Sequence, residues 1–248
     1  MALMIGDDRA SWREEVRPPP PARVARRALV LGAISARADM ERTQQAPATA
    51  AVRDRLLDWL NRAGLADEAE PQEWSLLSAA LGSWPDGQAV DASWKVEAAA
   101  VLTWALGRAE LPSHDVAATP IQVVGPLQFM SVEGTQRVIS AATLRGEVEI
   151  YHMYNRLWQI HWRLTENRLT AGQVDLREME KRHDWWGQLD IPKDALSRDG
   201  DLSVGGRPLS KADPREVAWC NSIAMERHRG ANWLIGTERI YSAISTDT

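Results

Sequence analysis

Apolar positions recur along most of this chain at the spacing of amphipathic helices. From Ala22 to Arg42, Val24, Ala28, Leu31 and Ser35 project to one side. Arg23, Arg26, Arg27 and Arg37 lie largely on the other sides and read as a solvated face. Val52 to Ala63 repeats the pattern with Leu56, Leu57, Trp59 and Leu60, and Gly64 closes it. A shorter helix is expected from Gln72 to Leu81, stopping at Gly82. Asp91 to Gly107 is apolar almost all round, which predicts burial on several sides; its exceptions are Lys95 and Glu97.

Glycines and prolines punctuate residues 113–135, which read as a loop with a short strand at Ile121–Val124. A long helix is expected from Gln136 to Asn167. One face of its second half collects Ile150, Tyr151, Tyr154, Leu157, Trp158, His161, Trp162 and Thr165, with Arg156 and Arg163 on the other side. Asp175 to Gly187 forms a further helix carrying His183, Asp184, Trp185 and Trp186. Two short runs, Leu202–Val204 and Arg207–Leu209, flank Gly205-Gly206, the signal of a two-residue hairpin, and Pro208 restricts that hairpin to an edge.

The last helix, Asp213 to Gly236, has well-marked ends. Asp213 can accept from the first-turn N–H groups, Pro214 gives up an N–H that has no partner there, and Glu216 can reach back in a capping box. Val217, Cys220, Ile223, Ala224, Ala231, Leu234 and Ile235 share one side. Arg227 and His228 fall on that same side, Asn221 and Asn232 on its margin, and Glu226 elsewhere. The fold expected is mainly α: a compact multi-helix single domain over residues 22–236, with one small β-hairpin before the C-terminal helix. Residues 1–21 form an N-terminal extension, a short helix and then the Pro18–Pro21 spacer, and residues 237–248 a fraying tail. Residues 44–50 read as a loop.

A guanidinium on an apolar face keeps its charge and needs a carboxylate or several carbonyls, and Glu97 is the best available counter-ion for Arg227. His228 and Asn232 are spaced to touch along the helix. Two readings stay open. One is a polar network that holds the last helix in register, which leads. The other is a site in which Glu97, His161, Arg227 and His228 are catalytic candidates and Arg227, His228, Asn232 and Trp158 contact a ligand.

Composition narrows the classes. The chain is 44% hydrophobic and 25% charged, as ordinary globular domains are. Twelve Trp against the single Phe129 point to half-buried indoles at helix contacts or on a binding surface. A net charge of −5 disfavours a nucleic-acid binder. A single Cys220 precludes an intrachain disulfide, and on an apolar face it reads as inert packing. No run is long enough for a membrane span, and the acidic N-terminus does not resemble a signal peptide, so the expected location is cytoplasmic. No phosphate-loop, dinucleotide, zincin or nucleophile-elbow motif occurs, and the five histidines show no metal-site pair along a helix. Neither cofactor nor metal is expected.

Three strings carry a resemblance. WKVEAAAVLTWALGRAELP (Trp94 to Pro112), LWQIHWRLTEN (Leu157 to Asn167) and ERHRGANWLIG (Glu226 to Gly236) look like the signatures of the bacterial domain-of-unknown-function family 4272, and Val24 to Ala38 is similar to its opening helix. The family pattern picks out Trp94, Glu97, Trp104, His161, Trp162, Glu226, Arg227, His228, Asn232 and Trp233. The resemblance implies a mostly helical bacterial protein and no particular activity. Among these residues Trp94, Trp104 and Trp233, with the caps Asp213, Pro214 and Glu216, are expected to be structural.

The function expected is a non-catalytic protein-interaction module, an immunity or accessory protein binding a cognate partner through an acidic, Trp-bearing surface. The alternative is an enzyme or small-ligand binder that uses the Glu/Arg/His/Asn cluster on anionic substrates.

Overall fold

The computed structural model describes residues 17–43, 49–169, 172–182 and 188–248. The short helix expected near the N-terminus, the loop at 44–50 and the run from His183 to Gly187 lie wholly or largely outside these residues.

The described chain is mainly helical. Helix α1, Pro21–Arg42, starts with Pro21 at a first-turn position that needs no N–H donor, and is buried along most of its length. Then come α2, Thr49–Arg62, and α3, Pro71–Ser78, the latter opened by a capping box between Glu70 and Glu73. The apolar stretch forms α4, Gln88–Ser93, and α5, Lys95–Ala105, interrupted at Trp94; every residue of α5 after Lys95 is buried. The main layers follow from these apolar faces. Helix α1 packs on α4 and α5, and the opposite side of α5 packs on the last helix, α10, Pro214–Leu234. On its other flank α10 packs against α8, Glu147–Leu169.

Two expected elements are different. Residues 121–124 are no strand but part of α6, Pro120–Val124, because Pro120 supplies helical φ at the first turn and the preceding Thr119 is extended. The expected long helix from Gln136 is two helices, α7, Val132–Ser140, and α8. Ser131 caps α7 by accepting from the Gly134 N–H at 3.2 Å. Between the two, Arg145 is drawn to the end of α5: its backbone N–H donates to the Ala105 carbonyl at 2.8 Å and its Nε to the Trp104 carbonyl at 2.9 Å. Helix α8 then restarts where Glu149 accepts from the Gly146 N–H. The bound carbonyls of another helix outcompete continuation of this one.

Helix α9, Leu176–Arg182, precedes the hairpin of β1, Ser203–Val204, and β2, Arg207–Pro208, paired antiparallel with Ser203 opposite Pro208. Gly205 and Gly206 both have positive φ, 57° and 75°, as a two-residue primed turn requires. The hairpin belongs to a second, smaller apolar cluster with Ile160, Leu164, Leu176 and Cys220. The tail is neither helical throughout nor loose: Tyr241 and Ile244 are in the main core.

Arg27 and Arg37 of α1 do not lie on a solvated face. Arg27 is 1% exposed and donates to both carboxylate oxygens of Glu73 at 2.9 and 2.8 Å and to Glu68. Arg37 is wholly buried beside Glu41, donates to the carbonyls of Ala79 and Ala80, and lies over the Trp84 ring. Arg163 on α8 is also wholly buried, in a two-bond pair with Asp201 at 2.7 Å. In each case the long side chain crosses apolar surface to reach acceptors on another segment or the next turn, which a helical projection does not anticipate.

Candidate functional site

Helix α10 begins as its sequence indicates at Asp213, whose side chain accepts from the Arg215 N–H at 2.7 Å, with Pro214 following. Glu216 does not close the box on the Asp213 N–H; its carboxylate stands beside Gly205 in the hairpin turn. Three turns further on, Arg227 faces α5. Its Nε donates to Glu97 Oε2 at 2.8 Å, Nη1 to the carbonyls of Pro112 and Ser113 at 2.9 Å, and Nη2 to that of Val116 at 2.8 Å. The other Glu97 oxygen accepts from the Ala118 N–H at 2.8 Å. Arg227 and Glu97 thus hold the 112–118 loop against the α5–α10 contact. Burial lowers the Arg227 pKa, and Glu97 opposes that shift.

A second chain of contacts starts one residue later. His228 Nδ1 lies 3.1 Å from His161 Nδ1, and His228 Nε2 lies 3.1 Å from Asn232 Nδ2. The same amide nitrogen donates to the Ser245 carbonyl at 3.0 Å, which fixes it as a donor. His228 Nε2 therefore accepts, its proton sits on Nδ1, and that N–H donates to a bare Nδ1 of His161. Both rings are neutral in this arrangement. Burial pushes the pKa of His161 down to about 4 and that of His228 to about 3, and Arg229 adds to both shifts. Among the described residues no group of three His, Cys, Asp or Glu could hold a metal ion.

The remaining candidates are dispersed. Trp158 packs against the smaller apolar cluster. Trp104 is buried under the Arg145 guanidinium, and Trp233 is wholly buried between Arg23 and Tyr241. Trp94 is half-buried and meets Trp219 edge-on at 4.7 Å. Glu226 does not point away from the core: it is 3% exposed and holds Lys95 at 3.0 Å and Arg229 at 2.9 Å. Cys220 is buried, its pKa pushed up to about 11 by burial, so it carries no thiolate at neutral pH.

Some polar groups escaped the sequence reading. His152 pairs through Nδ1 with Asp190 at 2.9 Å, and Asp190 also accepts from Asn155. Another set lines a cleft of about 520 Å³ between the 110–115 loop, α8 and the hairpin, and includes His114, Arg156 and Asp194. No spacing signal joins Arg156 on a helix to Asp194 on a distant loop.

The sequence matches the family described as Domain of unknown function (DUF4272) over residues 10–181. The chain belongs to this family. The matched range includes Trp94, Glu97, Trp104 and His161, while Arg227, His228 and Asn232 lie C-terminal of it. No curated protein and no solved structure matches the chain. Among the described residues no helix is long and apolar enough to cross a membrane.

Proposed function

We propose that this family member is a non-catalytic binding module that engages another protein, with an immunity or accessory protein of the bacterial cytoplasm as its concrete form. The observation that carries the reading is Trp219. It is 50% exposed on α10 and braced edge-on by Trp94, and it borders a groove of about 300 Å³ that Asp115, Glu216 and Arg215 also line. A large indole held rigid at the surface is a preferred interface anchor, since little side-chain entropy is lost on binding. Two carboxylates against the one guanidinium of Arg215 leave the groove net acidic, so the partner surface that fits presents lysine or arginine beside the indole. The net charge of −5 favours the same class of partner.

The buried cluster supports this reading over the enzymatic one. The Nε of Arg227, both Nη groups and both Glu97 oxygens have partners within the protein, and His228 is enclosed by His161 and Asn232. Groups so engaged have little freedom to take up a substrate.

The test is affinity purification of the tagged protein from its native host, beside Trp219→Ala and Trp219→Phe variants. The expected result is one stoichiometric partner held by the wild type and by Trp219→Phe and lost from Trp219→Ala, with the melting temperature of Trp219→Ala unchanged. Equal retention by all three proteins would remove Trp219 from the interface.

A further inference from the structure

The 520 Å³ cleft beside the hairpin has the size of a small-molecule site, and its charges do not all pair within the protein. Arg227 is matched by Glu97, Glu110 by Arg145, and Asp115 accepts from the Ser113 hydroxyl and the Gly205 N–H. Two lining charges are left over. Arg156 is half-buried and anchored by Nε to the Asp190 carbonyl at 3.0 Å, and its two Nη groups have no acceptor among the described residues. Asp194 is exposed at the cleft, with no hydrogen-bond or ion-pair partner among them.

The cleft is also lined by apolar side chains, Met153, Leu157 and Ile160 of α8 and Trp104. His114 donates through Nε2 to the Ser203 carbonyl at 2.5 Å, which makes its Nδ1 an acceptor. Burial lowers the His114 pKa and favours this neutral form. The cleft thus offers a planar two-pronged donor, a free carboxylate with a neutral acceptor, and an apolar surface. The geometry points to a binding site for a small zwitterion with an apolar body, namely a free amino acid with a large aliphatic or aromatic side chain. Its carboxylate pairs with the Arg156 Nη groups, its ammonium with Asp194 and His114, and its side chain covers the apolar side chains of α8. This site shares only Asp115 with the Trp219 groove and stands or falls independently of the partner protein.

The test is calorimetric titration of the full chain with L-leucine, L-phenylalanine and L-tryptophan, and with the N-acetyl and amide derivatives of each. At least one free amino acid should bind, and blocking either end should weaken it. Arg156→Gln should lower its affinity about tenfold or more. Asp194→Asn should weaken the free amino acid while leaving the N-acetyl derivative unchanged. Asp194 is exposed and unpaired, so its variant should fold, and Arg156→Lys replaces Arg156→Gln if the latter melts early. Two results would overturn the assignment: no binding of any of the three at about 10 mM, or binding that neither Arg156 nor Asp194 variants alter.

Discussion

Arg227 Nε donates to Glu97 Oε2 at 2.8 Å across the α5–α10 contact, with both side chains about 1% exposed. A pair this deep has lost its hydration on both sides, so removing one member strands the other. Arg227→Ala is expected to lower stability by about 3 kcal/mol, read as a shift of the urea midpoint. The double variant Arg227→Met, Glu97→Leu should be less destabilised than the single one, because no charge is left behind. A single variant with an unchanged midpoint would make the pair dispensable to the fold.

Three residues beyond Arg227 the two helices come close together. A Cβ placed on Gly230 would stand 3.1 Å from both the Cα and the carbonyl oxygen of Ala98. Backbone cannot swing aside as a side-chain tip can, so α5 and α10 would have to part. Gly230→Ala is expected to cost about 1–3 kcal/mol in chemical denaturation, despite the better helix propensity of alanine. A more stable variant would mean the contact tolerates separation.

The histidine contact predicts a pH dependence. His161 and His228 titrate near 4 and 3 in the folded protein and near 6.5 when unfolded. Between these values the unfolded chain binds more protons, so stability is full above about pH 6.5 and falls as the pH drops toward 4. The slope contributed is at most about 1.4 kcal/mol per pH unit for each ring. Urea midpoints at pH 7 and 5, compared with those of a His161→Gln, His228→Asn variant, measure it. A wild type no more pH-sensitive than the variant would contradict the neutral pair. Nitrogen-15 spectra should show the proton of His228 on Nδ1.

Tyr241 is wholly enclosed, and its hydroxyl has no partner among the described residues. Burial raises its pKa well above the usual phenol value, so the hydroxyl is neutral. An unpaired buried hydroxyl is a desolvation cost that phenylalanine does not carry. Tyr241→Phe should therefore be neutral or stabilising by up to about 1 kcal/mol, whereas Tyr241→Ala should lose about 3 kcal/mol through the cavity it opens against Trp233 and Arg27. Thermal melts of both variants distinguish packing from an unseen hydrogen bond.

What the sequence by itself determined is local. The Asp213-Pro214 start of α10, the Gly205-Gly206 turn and the burial of residues 96–105 follow from φ preferences, capping and periodicity, all of which act within a few residues of one another. The same periodicity placed Arg227 on the apolar side of α10. Only the tertiary structure decided which acceptors it reaches, because Glu97 is 130 residues away and the carbonyls of the 112–118 loop lie on no periodic element. Arg27 and Arg37 sit on a helix buried nearly all round, and with Arg163 they find carboxylates or carbonyls on other segments, partners that no helical wheel includes. The break before α8 depends on the carbonyls at the end of α5, and the cleft brings together Arg156 from a helix and Asp194 from a loop. Spacing along the chain reports which face a residue occupies; the opposing group across that face is set by how separate elements pack.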